Sequence, residues 1–209
     1  FLREQGQTKL VEIEDMELVN KAWSDQLGLT LPEIEPDLPA VWDSETPLVI
    51  HGSITHEDQT PRLGETVSLL LNETVISSTS SDSEGIVKHE ETVSTLGIHK
   101  LTLLHTTEDL RTGLDIKIVE YRDEIIRLFN NRFKESRKMF QSIRDNYTAR
   151  ELYEYLKLET PAAAHEPLRE LVFIFEEANY SLHEVKREHY TRFFRKMRKY
   201  KEALDGEDS

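Results

Sequence analysis

The stretch Thr148–Leu204, TARELYEYLKLETPAAAHEPLRELVFIFEEANYSLHEVKREHYTRFFRKMRKYKEAL, decides the C-terminal half of the fold. Thr148 followed three residues later by Glu151 is a capping box, so a helix starts there. Pro167 is suited to the first turn of a further helix, whose apolar stripe is Leu168, Leu171, Val172 and Phe175. A last helix is expected from about Lys186, with Tyr190, Phe193, Phe194, Met197, Tyr200 and Leu204 facing inward. Working upstream, Ile126, Phe129, Phe133, Ser136, Phe140, Ile143 and Tyr147 keep alternating spacings of three and four, which predicts one amphipathic helix of roughly 25 residues. Four such helices with short connections predict a helical bundle.

Upstream of Glu120 the period changes to two. Leu48, Ile50 and Ile54 alternate with polar positions, as do Val67, Leu69 and Leu71, and Leu114, Ile116 and Ile118. The clusters between them supply Pro61, Gly64, Asn72, Asp82 and Gly85 where turns need them. About six or seven short strands at this spacing predict an antiparallel sandwich of immunoglobulin type, without the Cys, Trp, Cys pattern of antibody domains. Residues 15–27 offer a short amphipathic helix carrying Met16, Val19, Trp23 and Leu27. Pro32, Pro36, Pro39 and Pro47 among acids then read as an extended tether, in which Trp42 is the one ring expected to dock. The expected fold class is therefore two domains, an all-β immunoglobulin-like sandwich followed by an all-α four-helix bundle. The expected boundaries are an acidic segment and tether over 1–46, the sandwich over 47–119, the helical domain over 120–204 and a tail over 205–209.

Charge and composition narrow the chemistry. The net charge of -14 is confined to the first half, where residues 1–118 hold 8 Lys and Arg against 22 Asp and Glu, whereas 119–209 hold 18 of each. An acidic half repels phosphate backbones, so no nucleic-acid partner is expected. With no cysteine there is no disulfide, thiolate metal site or Cys nucleophile. The eight glycines form neither a P-loop nor a dinucleotide-binding cluster, and no Gly-x-Ser-x-Gly elbow occurs. No run approaches the roughly 18 to 20 apolar residues of a membrane span. Phe1 in place of an initiator Met gives the expectation of a fragment of a longer protein.

Three strings carry a family resemblance: EYRDEIIRLFN from Glu120, TARELYEYL from Thr148, and EPLRELVFIFEEANYSLHEVKREHY from Glu166. In them the segment from Glu120 to Leu204 resembles the uncharacterised C-terminal domain of transglutaminase-like membrane proteins of bacteria and archaea. The sandwich ahead of it resembles the immunoglobulin-like modules that accompany that domain in archaeal proteins. Lys186-Arg187-Glu188 departs from the family's frequent Thr-Arg-Glu and loses an N-cap hydroxyl. The resemblance implies a transglutaminase-like domain and membrane spans upstream, a setting beside a MoxR-type AAA+ ATPase, and association with the cytoplasmic face of a membrane through a span outside this chain. The upstream domain and the ATPase system are the implied protein partners.

The chain offers surfaces and no recognisable catalytic constellation. Glu176, Glu177, Asn179, Tyr180 and Ser181 form the most distinctive patch. One reading is structural: Asn179 in a left-handed helix-ending conformation, Ser181 bonding a nearby backbone group and Tyr180 against the last helix. The other is a docking surface made of Glu176, Glu177, Tyr180 and Ser181 with Arg150, Arg169 and Arg187. The run Arg192–Lys201 holds six basic residues. It reads first as a solvated helix face and second as a contact for acidic partners, anionic lipid or nucleic acid, in that order. His99 and His105 share a strand face, but roughly 20 Å apart, too far for one metal ion. Asn72, Asn146 and Asn179 each begin a glycosylation triplet, relevant if the chain is exported. The reading favoured is a non-catalytic interaction or regulatory module without a cofactor, forming the C-terminal part of a transglutaminase-like membrane protein. The alternative is an extracytoplasmic structural or adhesive cell-surface protein.

Overall fold

Strand periodicity governs the chain up to Ile118, and helical periodicity the remainder. In the computed structural model, which describes residues 18–140, 143 and 146–206, the chain divides between Ile118 and Val119 into two units.

Among the described residues the first unit contains nine strands. They are β1 (Lys21–Trp23), β2 (Leu27–Thr30), β3 (Val41–Asp43), β4 (Leu48–Ile54), β5 (Thr66–Leu71), β6 (Thr74–Ser80), β7 (Ile86–Glu91), β8 (Gly97–His105) and β9 (Leu110–Val119). Two sheets result, one in the order β1-β2-β4-β7 and the other β3-β9-β8-β5-β6. Leu48, Ile50 and Ile54 of β4, Val67 and Leu69 of β5, Leu101 and Leu103 of β8 and Ile116 of β9 are fully buried, so the alternation seen in sequence is the inner face of each sheet. Gly52 interrupts the β4 alternation for a packing reason. A Cβ there would lie 2.4 Å from Val87 Cγ2 and 2.6 Å from Leu103 Cδ1, so only a bare backbone lets Leu103 cross from the other sheet. Asn72 and Glu73 adopt φ of 48° and 68° and make the two-residue β5–β6 hairpin turn.

The expected fold class is corrected here. The acidic segment and Pro-rich tether expected over residues 1–46 instead contribute three strands, of which β3 lies in the tether itself, and the short helix expected around Asp15–Leu27 is strand over Lys21–Trp23, its first residues 15–17 lying outside those described. Leu27, Leu29, Leu31, Ile34, Leu38, Ala40 and Val41 are all buried. Burying these side chains outweighs the extended preference that four prolines confer, at about 25 cal/mol per Å² of apolar area removed from water. Prolines remain in the connections, where no ladder hydrogen bond is asked of them. Trp42 is buried and donates Nε1–H to the Thr46 carbonyl at 3.0 Å.

The second unit holds four helices among the described residues: α1 (Tyr121–Met139), α2 (Ala149–Glu159), α3 (Ala162–Tyr180) and α4 (Arg187–Asp205). They do not ring a common axis as a four-helix bundle does. α3 is the hub, packed against each of the other three, whereas α2 packs chiefly on α3. Phe129 stacks on Phe175 with ring centroids 4.1 Å apart, and Tyr121 on Tyr190 at 5.3 Å. α1 stops at Met139, short of the expected Tyr147, because Phe140 turns extended. Ile143 stays buried by a tighter route, its N–H bonding to Phe140 O at 3.2 Å. Pro167 lies inside α3, not in its first turn, because the helix already begins at Ala162 in a run of strong helix formers. The Thr148–Glu151 capping box is present, with Thr148 N–H donating to Glu151 Oε2 at 2.8 Å and Glu151 N–H to Thr148 Oγ1 at 3.2 Å.

Candidate functional site

The end of α3 and the turn into α4 are built around one cation that sequence reasoning missed. Arg122, in the first turn of α1, donates Nη1 to the carbonyls of Ala178 and Ser181, the latter at 2.9 Å, and Nη2 to the carbonyl of His183 at 2.5 Å. The last carbonyls of a helix have no partner within it and carry the negative end of its dipole, so a guanidinium there satisfies both hydrogen bonding and charge. Its sequence signal was present in EYRDEIIRLFN: an Arg directly after the aromatic that opens the helix. Downstream, Ser181 Oγ accepts the His183 N–H at 3.0 Å. Lys186 N–H donates to His189 Nδ1 at 3.1 Å, the half of a capping box that needs no N-cap hydroxyl. That fixes the His189 proton on Nε2, which lies 3.9 Å from Glu177 Oε1.

On this frame α3 displays a stripe to solvent. Arg169, Phe173, Glu176 and Tyr180 follow spacings of four, three and four, which places them along one face of the helix. Tyr180 is 75% exposed, Phe173 55%, and Leu182 in the turn is wholly exposed. From Phe173 to Tyr180 the stripe runs about 10 Å. Beside it, Arg150 of α2 clamps Glu176 with two parallel bonds, Nε to Oε1 at 2.8 Å and Nη2 to Oε2 at 3.0 Å. Glu176 and Arg150 are thus brought together directly, and Glu177 faces the first turn of α4 through His189. Arg187 is turned toward Tyr121, its Nη1 reaching the phenol oxygen at 3.3 Å. The left-handed conformation expected of Asn179 is absent, because the residue is helical, and Tyr180 does not lie buried against α4. Phe173 carried no signal in the sequence beyond its place in an apolar run, and only its exposure distinguishes it.

The basic run on α4 faces carboxylates of α3. Lys196 Nζ lies 2.6 Å from Glu166 Oε1, Arg192 pairs with Glu170, and the Arg192 guanidinium sits 5.9 Å from the centre of the Phe173 ring. Arg192 holds the Glu170 carboxyl below its usual range. Arg192, Arg195, Lys196, Arg198 and Lys199 with Thr191 line a shallow depression of about 280 Å³. This matches a solvated helix face laced by ion pairs.

In the sandwich, Arg62, Glu65, His105 and Glu108 form one linked polar cluster. His105, fully buried, bonds Glu65 Oε2 through Nε2 at 2.8 Å, and Arg62 joins Glu65 and Glu108, the latter at 2.7 and 2.8 Å. The His105 hydrogen bond, then that of Arg62, holds the Glu65 carboxyl below its usual value, and Arg62 does the same for Glu108. His99 accepts from Asn72 Nδ2 at 2.9 Å and donates Nε2–H to Thr95 O at 2.7 Å. The Asn72 nitrogen that a glycan would occupy is therefore engaged, whereas Asn146 and Asn179 lie exposed. Among the described residues no three His, Asp or Glu side chains converge as metal ligands, and no helix is long and apolar enough to cross a membrane.

No family model and no curated protein matches the sequence. Among solved structures, the chain is similar to the bacterial integrin-binding protein invasin, at 20% identity and a TM-score of 0.33 over 36% of this chain and 16% of that one. It is also similar to the CARDB domain of a Pyrococcus furiosus protein in complex with di-metal ions, at 12% identity and a TM-score of 0.30 over 39% of this chain and 81% of that one. A third is superoxide reductase (neelaredoxin) from Ignicoccus hospitalis, at 12% identity and a TM-score of 0.30 over 40% of this chain and 77% of that one.

Proposed function

We propose that the helical unit is a non-catalytic docking module of a transglutaminase-like membrane protein, and that the α3 stripe ending in the α3–α4 turn is its contact surface. The observation that supports this reading is the exposure of Phe173, Tyr180 and Leu182 on a corner that Arg122 ties together through backbone carbonyls. Large apolar side chains left in water at a braced corner are what a partner buries first, with aromatic rings as the usual anchors. Arg150–Glu176 and Arg169 supply a polar rim. The partner is a protein surface, either the upstream transglutaminase-like domain or the MoxR-type ATPase system that the family resemblance brings with it.

The test places a photo-crosslinking residue at Phe173 in the full-length protein in its own membrane, with Leu158, which is 83% exposed on α2, as the control position. Crosslinks from position 173 to either partner, lost on adding Tyr180→Ala and Leu182→Ser, are the expected result. Equal crosslinking from positions 158 and 173, or none from either, overturns the reading. A second reading, an exported structural or adhesive protein, draws on the exposure of Asn146 and Asn179. A glycosidase-sensitive mobility shift of the native protein decides for it.

A further inference from the structure

The two sheets of the sandwich have four edges, and three of them are guarded. β1 and β3 are only three residues long, and the outer strand β7 carries Lys88, Glu90 and Glu91. Short edges and edge charges are the devices by which sheets refuse further strands. β6 differs. It is seven residues long, reads TVISSTS without a charge or a proline, and forms the outer edge of the five-stranded sheet. Its residues Thr74, Val75, Ile76, Ser78 and Ser80 are exposed. A bulge at Ile76 bends the first half, since Leu69 opposes Ser77 whereas Leu70 opposes Val75. Beyond the bulge, Ser77–Ser80 pair in unbroken register with Thr66–Leu69, so their far side presents a regular row of backbone donors and acceptors.

We infer that β6 is a strand-addition site, which an extended segment of another protein joins by backbone hydrogen bonding to make a sixth strand. The occupant's conformation follows from the ladder itself, because only an extended backbone matches alternating N–H and C=O groups at this spacing. Its charge follows from the surroundings. Glu73 ahead of β6 is paired by Lys100 and Arg111, whereas Asp82 and Glu84 just past its end face no cation among the described ion pairs, so a segment carrying Lys or Arg is attracted at that end. Side-chain demands are light, since β6 offers mainly Ser and Thr neighbours across the new pair.

The probe is a nonapeptide of alternating Thr and Val with a Lys at each end, compared with the same peptide methylated on alternate backbone nitrogens. Amide exchange and chemical shifts are followed on the whole chain. The unmethylated peptide is expected to slow exchange of the β6 amides at least tenfold, with affinity reduced at least tenfold by methylation and by Val75→Lys with Ser80→Lys, both exposed positions. Equal binding of the methylated peptide, shifts centred away from β6, or no binding overturns the inference. A dimer of the unliganded chain that these substitutions dissociate also overturns it, by making a second copy the occupant. None of these results touches the α3 surface, so the two proposals fail separately.

Discussion

Replacing Arg122 by Met keeps the unbranched stem and removes the guanidinium from the three carbonyls it serves. A hydrogen bond to a charged group contributes about 1.5–3 kcal/mol net when its partner cannot turn to water instead. The His183 carbonyl lies in an exposed turn and regains water on substitution, whereas Ala178 is buried and Ser181 half-buried. The loss is therefore carried mainly by two acceptors and by the favourable charge at the end of α3, together about 2–3 kcal/mol. In a unit of about 90 residues that lowers the unfolding midpoint by roughly 10–20 °C. The same loss raises local opening of the corner roughly 30- to 150-fold, at about 1.4 kcal/mol per factor of ten. Amide hydrogen exchange of residues 181–186 and thermal unfolding of the same sample measure both. Arg122→Lys retains the charge but not the three-way geometry and is expected to fall between Met and the parent. A Met variant melting within about 2 °C of the parent, with unchanged exchange in the turn, refutes the view that Arg122 holds the corner.

Gly52→Ala introduces a Cβ 2.4 Å from Val87 Cγ2 and 2.6 Å from Leu103 Cδ1, so these buried side chains must shift in a filled core and the sandwich loses about 1–3 kcal/mol, read as a lowered urea midpoint at unchanged slope. Acidification is expected to destabilise the sandwich in two steps. Burial holds the His89 imidazole below its usual 6.5, so the unfolded chain binds that proton more readily and the stability His89 contributes is lost as the pH falls from about 6.5. Glu65 and Glu108, both held below 4.5, keep their contribution above that value and lose it on further acidification. The urea midpoint measured against pH tests this. His89→Gln should flatten the fall between pH 7 and 5, and an unchanged fall in the variant contradicts the assignment.

The alternation of Leu48, Ile50 and Ile54 or of Leu114, Ile116 and Ile118, and the helical spacing around Leu168, Leu171, Val172 and Phe175, were legible in the chain because periodicity is a local property and burial followed it. The Thr148–Glu151 cap was legible for the same reason, its partners lying three residues apart. Residues 21–43 were not legible as strands. The spacing up to Leu27 describes a short helix and the prolines after it an extended tether, and only pairing with β4 and β9, and the burial of side chains from Leu27 to Val41, turned both into sheet. The end of α1, the interior position of Pro167 and the hub role of α3 likewise depend on which neighbour each helix meets.

Of the surface residues, the sequence by itself determined that Glu176, Glu177, Tyr180 and Ser181 form a distinctive group, and that no thiol chemistry is available to this chain. Tertiary structure alone decided that Tyr180 faces solvent, that Phe173 joins it, and that Arg122, 56 residues before Ala178, braces the corner. Exposure and long-range hydrogen bonds are set by what else occupies the surrounding space. A linear pattern records which side of an element a residue faces, and leaves open whether anything lies on that side.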